Sequence, residues 1–158
     1  MSTCYYLTKE GSEKLNQEIE KLEYSELPVV VKEVSTARGN GDLSENAEYH
    51  AAKDKQRSIM KKLGYLKDYK SKGVVVDLDE FDCETAKFGL FAEIIDLDTE
   101  RKKKIRLVGD YEADIAKGLV SVSAPLGKAL LGKKVNEEFE FENGDKSFYY
   151  KVLKISKE

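Results

Sequence analysis

A chain of 158 residues, 41% of them apolar, can bury one medium core or two small ones and is not a disordered tail. Charged residues reach 36% with a formal net charge of −3, which excludes a protein that coats nucleic acid through a general basic surface; any such contact is local. No run of about 18 apolar residues exists, and the start Met1-Ser2-Thr3-Cys4-Tyr5-Tyr6 has no basic flank leading into a secretory core, so a cytoplasmic protein with no membrane partner is expected. Cys4 and Cys83 lie far apart without a CxxC partner and read as two inert thiols.

The first predicted element opens at Thr8, a possible N-cap with Gly11 and Ser12 close behind. Apolar residues then recur at Leu15, Ile19, Leu22, Leu27, Val30, Val34 and Ala37, close to a period of 3.5 apart from one slip. The slip falls at Pro28, which should bend the helix or break it. From Leu15 to Arg38 the rise per residue gives an arm of roughly 35 Å. A second helix is expected from about Ser44 to Lys72, with Ala52, Ile59, Leu63 and Leu66 on one stripe and the polar Gln56 interrupting it. Such narrow stripes suit a two-stranded antiparallel coiled coil better than helices buried in a globule.

Charge supports pairing of the two arms. Between Glu10 and Glu26 six acids stand against two lysines, whereas between Lys53 and Lys72 eight bases stand against two acids. The basic residues Lys53, Lys55, Arg57, Lys61 and Lys62 complement the acidic helix across the hairpin, or form a strip that guides a nucleic-acid backbone toward the tip; both roles can hold at once.

Near Gly73 the pattern changes to alternating and β-branched runs, giving a hairpin domain over 1–73 and a sheet domain over 74–158. Strands are expected at Val74 to Leu78, Phe88 to Leu97, Lys104 to Val108 and Leu119 to Val122, with Asp98 to Lys102 as a polar hairpin turn. Pro125 opens a short helix, Leu126 to Leu131, which Gly132 stops. Val135 to Phe141 and Phe148 to Ile155 alternate around the turn Asn143-Gly144-Asp145 and form a terminal hairpin. The whole is an α+β chain whose second half is a mostly antiparallel sheet with one short helix on a face. No catalytic constellation is visible in that half.

The chemistry concentrates at the turn between the arms, Ala37-Arg38-Gly39-Asn40-Gly41-Asp42-Leu43-Ser44-Glu45-Asn46-Ala47-Glu48-Tyr49. Gly39 and Gly41 permit a sharp reversal, so Asp42 and Glu45 sit at a tip. Two readings of this pair stand side by side. Asp42 at the N-cap with Glu45 at N3 is the reciprocal arrangement that starts many helices. Alternatively, two carboxylates three residues apart can complete the oxygen shell of Mg²⁺, weakly by themselves and usefully when another macromolecule supplies the remaining ligands. The lone His50 has no ligating neighbour in sequence and reads as a surface or cross-helix residue. The nine tyrosines, Tyr49 among them, read as packing residues.

The tip Ala37-Arg38 followed by Gly41 to Tyr49 and His50-Ala51-Ala52-Lys53 resembles the bacterial Gre transcript-cleavage factors, GreA more than GreB. The second half agrees independently: Val108-Gly109-Asp110 with Glu112-Ala113-Asp114, and Val120-Ser121-Val122 with Ser123-Ala124-Pro125-Leu126 and Ala129 to Lys133, look like the family's C-terminal signatures. The resemblance implies an antiparallel coiled coil followed by an FKBP-like antiparallel sheet domain used for docking. It implies a partner, bacterial RNA polymerase, entered through the secondary channel, and a role in stimulating cleavage of the nascent RNA 3′ end in backtracked complexes. It also implies that Asp42 and Glu45 hold Mg²⁺ shared with the polymerase, with no cofactor bound stably by the factor alone, and that Arg38, Ser44, Asn46 and Lys53 face RNA or polymerase. A monomer that is not itself an enzyme is expected. Ser44 stands where some members carry a basic residue and Gly39-Asn40 lacks charge, which favours release of short fragments. The alternatives are a channel binder that inhibits transcription, a prolyl isomerase or chaperone built on the sheet, and a purely structural coiled-coil adaptor.

Overall fold

The computed structural model describes residues 4–39 and 46–158. The chain divides into two compact units: Ser12–Lys72, and a second unit that joins the segment ending at Gly11 to Gly73–Glu158.

The helical unit follows from the stripes. Helix α1 (Lys9–Lys21) continues through a π-helical turn, Leu22–Glu26, into α2 (Leu27–Arg38). The π turn answers the slip at Pro28. Proline has no N–H and its ring collides with the carbonyl four residues back, so an α-helix cannot run through it unchanged. Here the Leu27 N–H reaches Leu22 O, five residues back, and Pro28 falls in the first turn of α2, where its missing donor costs nothing. The slip is absorbed as one wide turn rather than a break.

Helix α3 (Ala47–Lys72) returns along α2 and the π turn. Leu15, Ile19, Leu22, Val30, Val34 and Ala37 are buried on the outgoing side, and Ala52, Leu63, Leu66 and Tyr69 on the returning side. Leu27 and Ile59 are half-buried, because the π turn rotates Leu27 off the seam. The acidic and basic helices do pair: Lys62 meets Glu18 at 3.0 Å, Lys67 meets Glu23 at 2.8 Å and Lys55 meets Glu33 at 3.6 Å.

The second unit is built on a five-stranded sheet of order β5-β4-β3-β7-β6, with β3 Phe91–Asp96, β4 Lys102–Val108, β5 Leu119–Ser121, β6 Glu138–Asn143 and β7 Lys146–Ser156. Its pairs are antiparallel except β4 with β5, which run parallel in the register Arg106↔Leu119. The sheet is therefore mixed, and the expectation of an antiparallel sheet is corrected at this one pair. The parallel return is made by a 3₁₀ turn, Ile115–Lys117, capped by Asp114 and closed by Gly118 at φ 75°, a conformation that favours glycine. The turn signals hold elsewhere. Asp96 accepts from the N–H groups of Asp98 and Thr99, and the terminal hairpin closes with Asn143 opposite Lys146 and Gly144 at φ 67°.

Helix α4 (Pro125–Leu130) covers part of the sheet and buries Leu130 completely, beside Leu90, Ile94, Leu107 and Val152. Gly127 lies so close to β5 that a Cβ there would run into the backbone carbonyl of Ser121.

Two short strands were beyond the sequence pattern. β1 (Tyr6–Leu7) pairs in parallel with β2 (Val74–Val75), and β2 stops there, short of the expected Leu78, where Asp77 accepts from the Asp79 N–H and bends the chain. The boundary at Gly73 matches the expected one. The residues before Ser12, which the sequence places with the hairpin, are tied to this sheet unit instead: Asp110 accepts from the Cys4 N–H at 2.8 Å, and Glu112 accepts from the Thr8 N–H at 2.9 Å and from the Thr8 hydroxyl. Thr8 in turn caps α1 as expected, its hydroxyl accepting from the Gly11 N–H at 3.1 Å. The absence of a side chain on Gly11 leaves room for the Glu112 carboxylate.

Candidate functional site

The site is the end of the helical hairpin as seen from its two helix ends. Helix α2 closes at Gly39, whose N–H bonds Ser35 O at 3.3 Å and Thr36 O at 3.2 Å. Helix α3 opens at Asn46. Its side-chain oxygen accepts from the Tyr49 N–H at 3.0 Å, and its backbone carbonyl accepts from the His50 N–H at 3.1 Å, which makes Asn46 the N-cap. The same side chain donates through Nδ2 to the Ala37 carbonyl at 2.7 Å. One amide thus satisfies an orphan donor of α3 and an orphan acceptor of α2.

Asp42, Ser44 and Glu45 lie outside the described residues. The start of α3 nonetheless bears on them: the helix begins at Ala47 rather than near Ser44 and takes its cap from Asn46, so it needs no reciprocal cap from Asp42 and Glu45. Among the described residues no group of three or more His, Cys, Asp or Glu side chains could hold a metal ion. His50 is exposed and its ring lies edge-on to Tyr49 at 5.5 Å.

Arg38 is exposed on the last turn of α2, with its guanidinium carbon 5.9 Å from the centroid of the Tyr49 ring. Tyr49 is half-buried against the small core of Val30, Val34 and Ala52. Its phenol is held below the usual tyrosine range, first by a hydrogen bond from Arg38, which outweighs the opposing effect of burial, and then by the charges of Arg38, Lys53 and Arg57. Positive charge therefore gathers around one hydroxyl.

The basic residues of α3 separate into two sets. Lys55, Lys62 and Lys67 are spent on acids of the outgoing helix. Lys53 instead reaches Gln56 at 3.5 Å and Arg57 reaches Asp54 at 3.1 Å, both within α3. Lys53, Arg57 and Lys61 follow Tyr49 at four-residue intervals, which places them on one face of the helix. Both roles weighed for the strip are thus carried, by different residues. Tyr49 was missed as a functional residue because its position fits a packing stripe; its spacing to Lys53 and Arg57 is the signal that could have found it.

A long helical hairpin on one unit and a small mixed sheet on the other, with cations and two acids gathered at the hairpin end, match a known class over both units. Residues 5–72 match the family model described as "Transcription elongation factor, N-terminal", and residues 82–157 match "Transcription elongation factor, GreA/GreB, C-term". The chain belongs to the GreA/GreB family of transcription elongation factors. It is 45% identical to "Transcription elongation factor GreA" of Nautilia profundicola over 149 residues, covering 94% of this chain and 92% of that protein. It is 41% identical to the GreA of Thermodesulfovibrio yellowstonii over 150 residues, 95% of each. Among solved structures, it is similar to the GreA factor homolog 1 (Gfh1) protein of Thermus thermophilus, with 25% identity, coverage of 95% of this chain and 97% of that one, and a TM-score of 0.44.

Proposed function

We propose that this elongation factor binds bacterial RNA polymerase, extends its hairpin through the secondary channel and stimulates the polymerase's cleavage of the RNA 3′ end in backtracked complexes. The factor cuts nothing itself. Asp42 and Glu45 lend two carboxylates to a Mg²⁺ whose other ligands come from the polymerase and RNA. A bound Mg²⁺ there supplies Lewis-acid polarisation of the phosphodiester and a water of lowered pKa. Two hard carboxylate oxygens suit that ion and are too few to hold it alone, so the factor carries no metal of its own.

The observation that carries this reading is the cap of α3. Because Asn46 starts the helix, the acidic pair has no structural task there, and the capping explanation for Asp42 and Glu45 loses its purpose. Arg38 and Lys53 attract the phosphodiester backbone of the RNA 3′ segment, and Ser44 faces the same partner. Asn46 contributes by holding the helix ends, since its amide is engaged on both sides. The sheet unit serves as the docking module, and release of short fragments is expected from the modest positive charge near the tip.

The test is addition of the full-length protein, with Mg²⁺, to backtracked elongation complexes carrying 3′-labelled RNA. Asp42→Asn and Glu45→Gln remove charge while keeping similar shape. Both variants should fold and bind polymerase normally and lose at least about tenfold in cleavage rate, as removal of a metal ligand does. Undiminished cleavage would defeat the metal role.

A further inference from the structure

The Tyr49 hydroxyl meets Arg38 from the opposite helix and lies within the field of Lys53 and Arg57. An exposed arginine samples many rotamers, and fixing it on a phosphodiester costs entropy that a pre-formed partner reduces. Tyr49 is well placed to be that partner, because its ring is seated on Val30, Val34 and Ala52 and so is itself fixed by the hairpin core. One hydrogen bond to the phenol engages one guanidinium donor and leaves the others for a phosphate oxygen pair.

We propose that Tyr49 is a positioning residue: seated on the hairpin core, its hydroxyl holds the Arg38 guanidinium beside Lys53, forming a two-cation seat for a phosphodiester of the RNA 3′ segment. The inference rests on the reading of Arg38 as an RNA contact and adds to it the residue through which Arg38 is set. It also explains why a tyrosine, rather than an aliphatic residue, covers this part of the seam: the ring packs and the hydroxyl works at the rim.

Tyr49→Phe separates the two parts, keeping the ring and removing only the hydroxyl. The experiment titrates full-length wild type, Tyr49→Phe, Arg38→Gln and the double variant against backtracked complexes, and records thermal melting and the factor concentration giving half-maximal cleavage. Tyr49→Phe should melt with the wild type, reach the same cleavage rate at saturation and require about threefold to tenfold more factor, as expected when ground-state binding alone is lost. Arg38→Gln should require at least as much, and the double variant no more than Arg38→Gln. A wild-type titration for Tyr49→Phe while Arg38→Gln is impaired would overturn the positioning role alone. Independent, multiplying effects in the double variant would overturn it as well. A wild-type titration for Arg38→Gln would remove the RNA contact itself and the proposal with it.

Discussion

The Asn46 side chain joins the two helices where the hairpin turns, donating to the Ala37 carbonyl of α2 at 2.7 Å while accepting from the Tyr49 N–H of α3 at 3.0 Å. The two bonds can be separated by substitution. Aspartate keeps the accepting oxygen and is as good an N-cap, but cannot donate; alanine loses both. Asn46→Asp should therefore cost about 0.5–1.5 kcal/mol, the worth of one hydrogen bond, and Asn46→Ala about 1–3 kcal/mol, the cap included. Urea denaturation of the full chain measures both, and equal losses would show that the bond to Ala37 contributes nothing.

The split among the basic residues of α3 predicts two kinds of variant. Lys62 and Lys67 reach Glu18 and Glu23 across the seam, so replacing either by alanine should lower stability by at most about 1 kcal/mol, and by less at high salt. Lys53 bonds only within its own helix and should leave the melting temperature nearly unchanged when replaced by alanine, while raising the factor concentration needed for cleavage. Melting in low and high salt, set beside cleavage titrations, checks the division. A stability loss for Lys53→Ala as large as that for Lys62→Ala would return the strip to a purely structural role.

Acid should loosen the N-terminal anchor. Burial pushes the Asp110 carboxyl up, but the Ser121 and Ser123 hydroxyls and the Cys4 N–H outweigh it and hold the group below the usual carboxylate range. The unfolded chain consequently takes up this proton at a higher pH than the folded one. The anchor's contribution is whole above the ordinary aspartate value of about 3.9 and fades as pH falls through the lower folded value. Asp110→Asn should lower stability at pH 7 and lose less than the wild type between pH 5 and pH 3. Urea midpoints across that range measure it, and parallel acid limbs for the two proteins would exclude Asp110 as a source of the pH dependence.

What could be read from the residues depended on the range of the physical signal. Leu15, Ile19, Val30, Val34 and Leu66 announce a seam because helical period repeats over many turns, and Asn143-Gly144-Asp145 announces a hairpin because turn chemistry is local. The pairing of Tyr6–Leu7 with Val74–Val75 was not legible, since two-residue strands carry no period and their partners are far apart in sequence. The parallel run of β5 beside β4 was hidden for the same reason: direction is set by how the 3₁₀ turn at Ile115–Lys117 returns the chain, not by alternation within the strand. At the tip, Asp42 with Glu45 and Asn46 with Tyr49 both have capping spacing, and only the observed start of α3 at Ala47 decides for Asn46. Tyr49 was overlooked because a seam position and a rim position share the same spacing on a helix.

Gly127 shows most plainly how tertiary contact overrides local propensity. Helix propensity alone favours Gly→Ala within a helix by about 1 kcal/mol, and Gly64, in the middle of α3 with nothing within 4 Å of a built Cβ, should obey that rule. Gly64→Ala should stabilise the chain by about 0.5–1 kcal/mol. Gly127 sits in α4 with the Ser121 and Val122 backbone where its Cβ would go, and backbone cannot step aside as the end of a side chain can. Gly127→Ala must push α4 away from β5 and disturb the seat of the buried Leu130, costing about 1–3 kcal/mol as overpacked cores do. Denaturant midpoints of the two variants should move in opposite directions, and a stabilising Gly127→Ala would mean that α4 does not pack on β5 as closely as described.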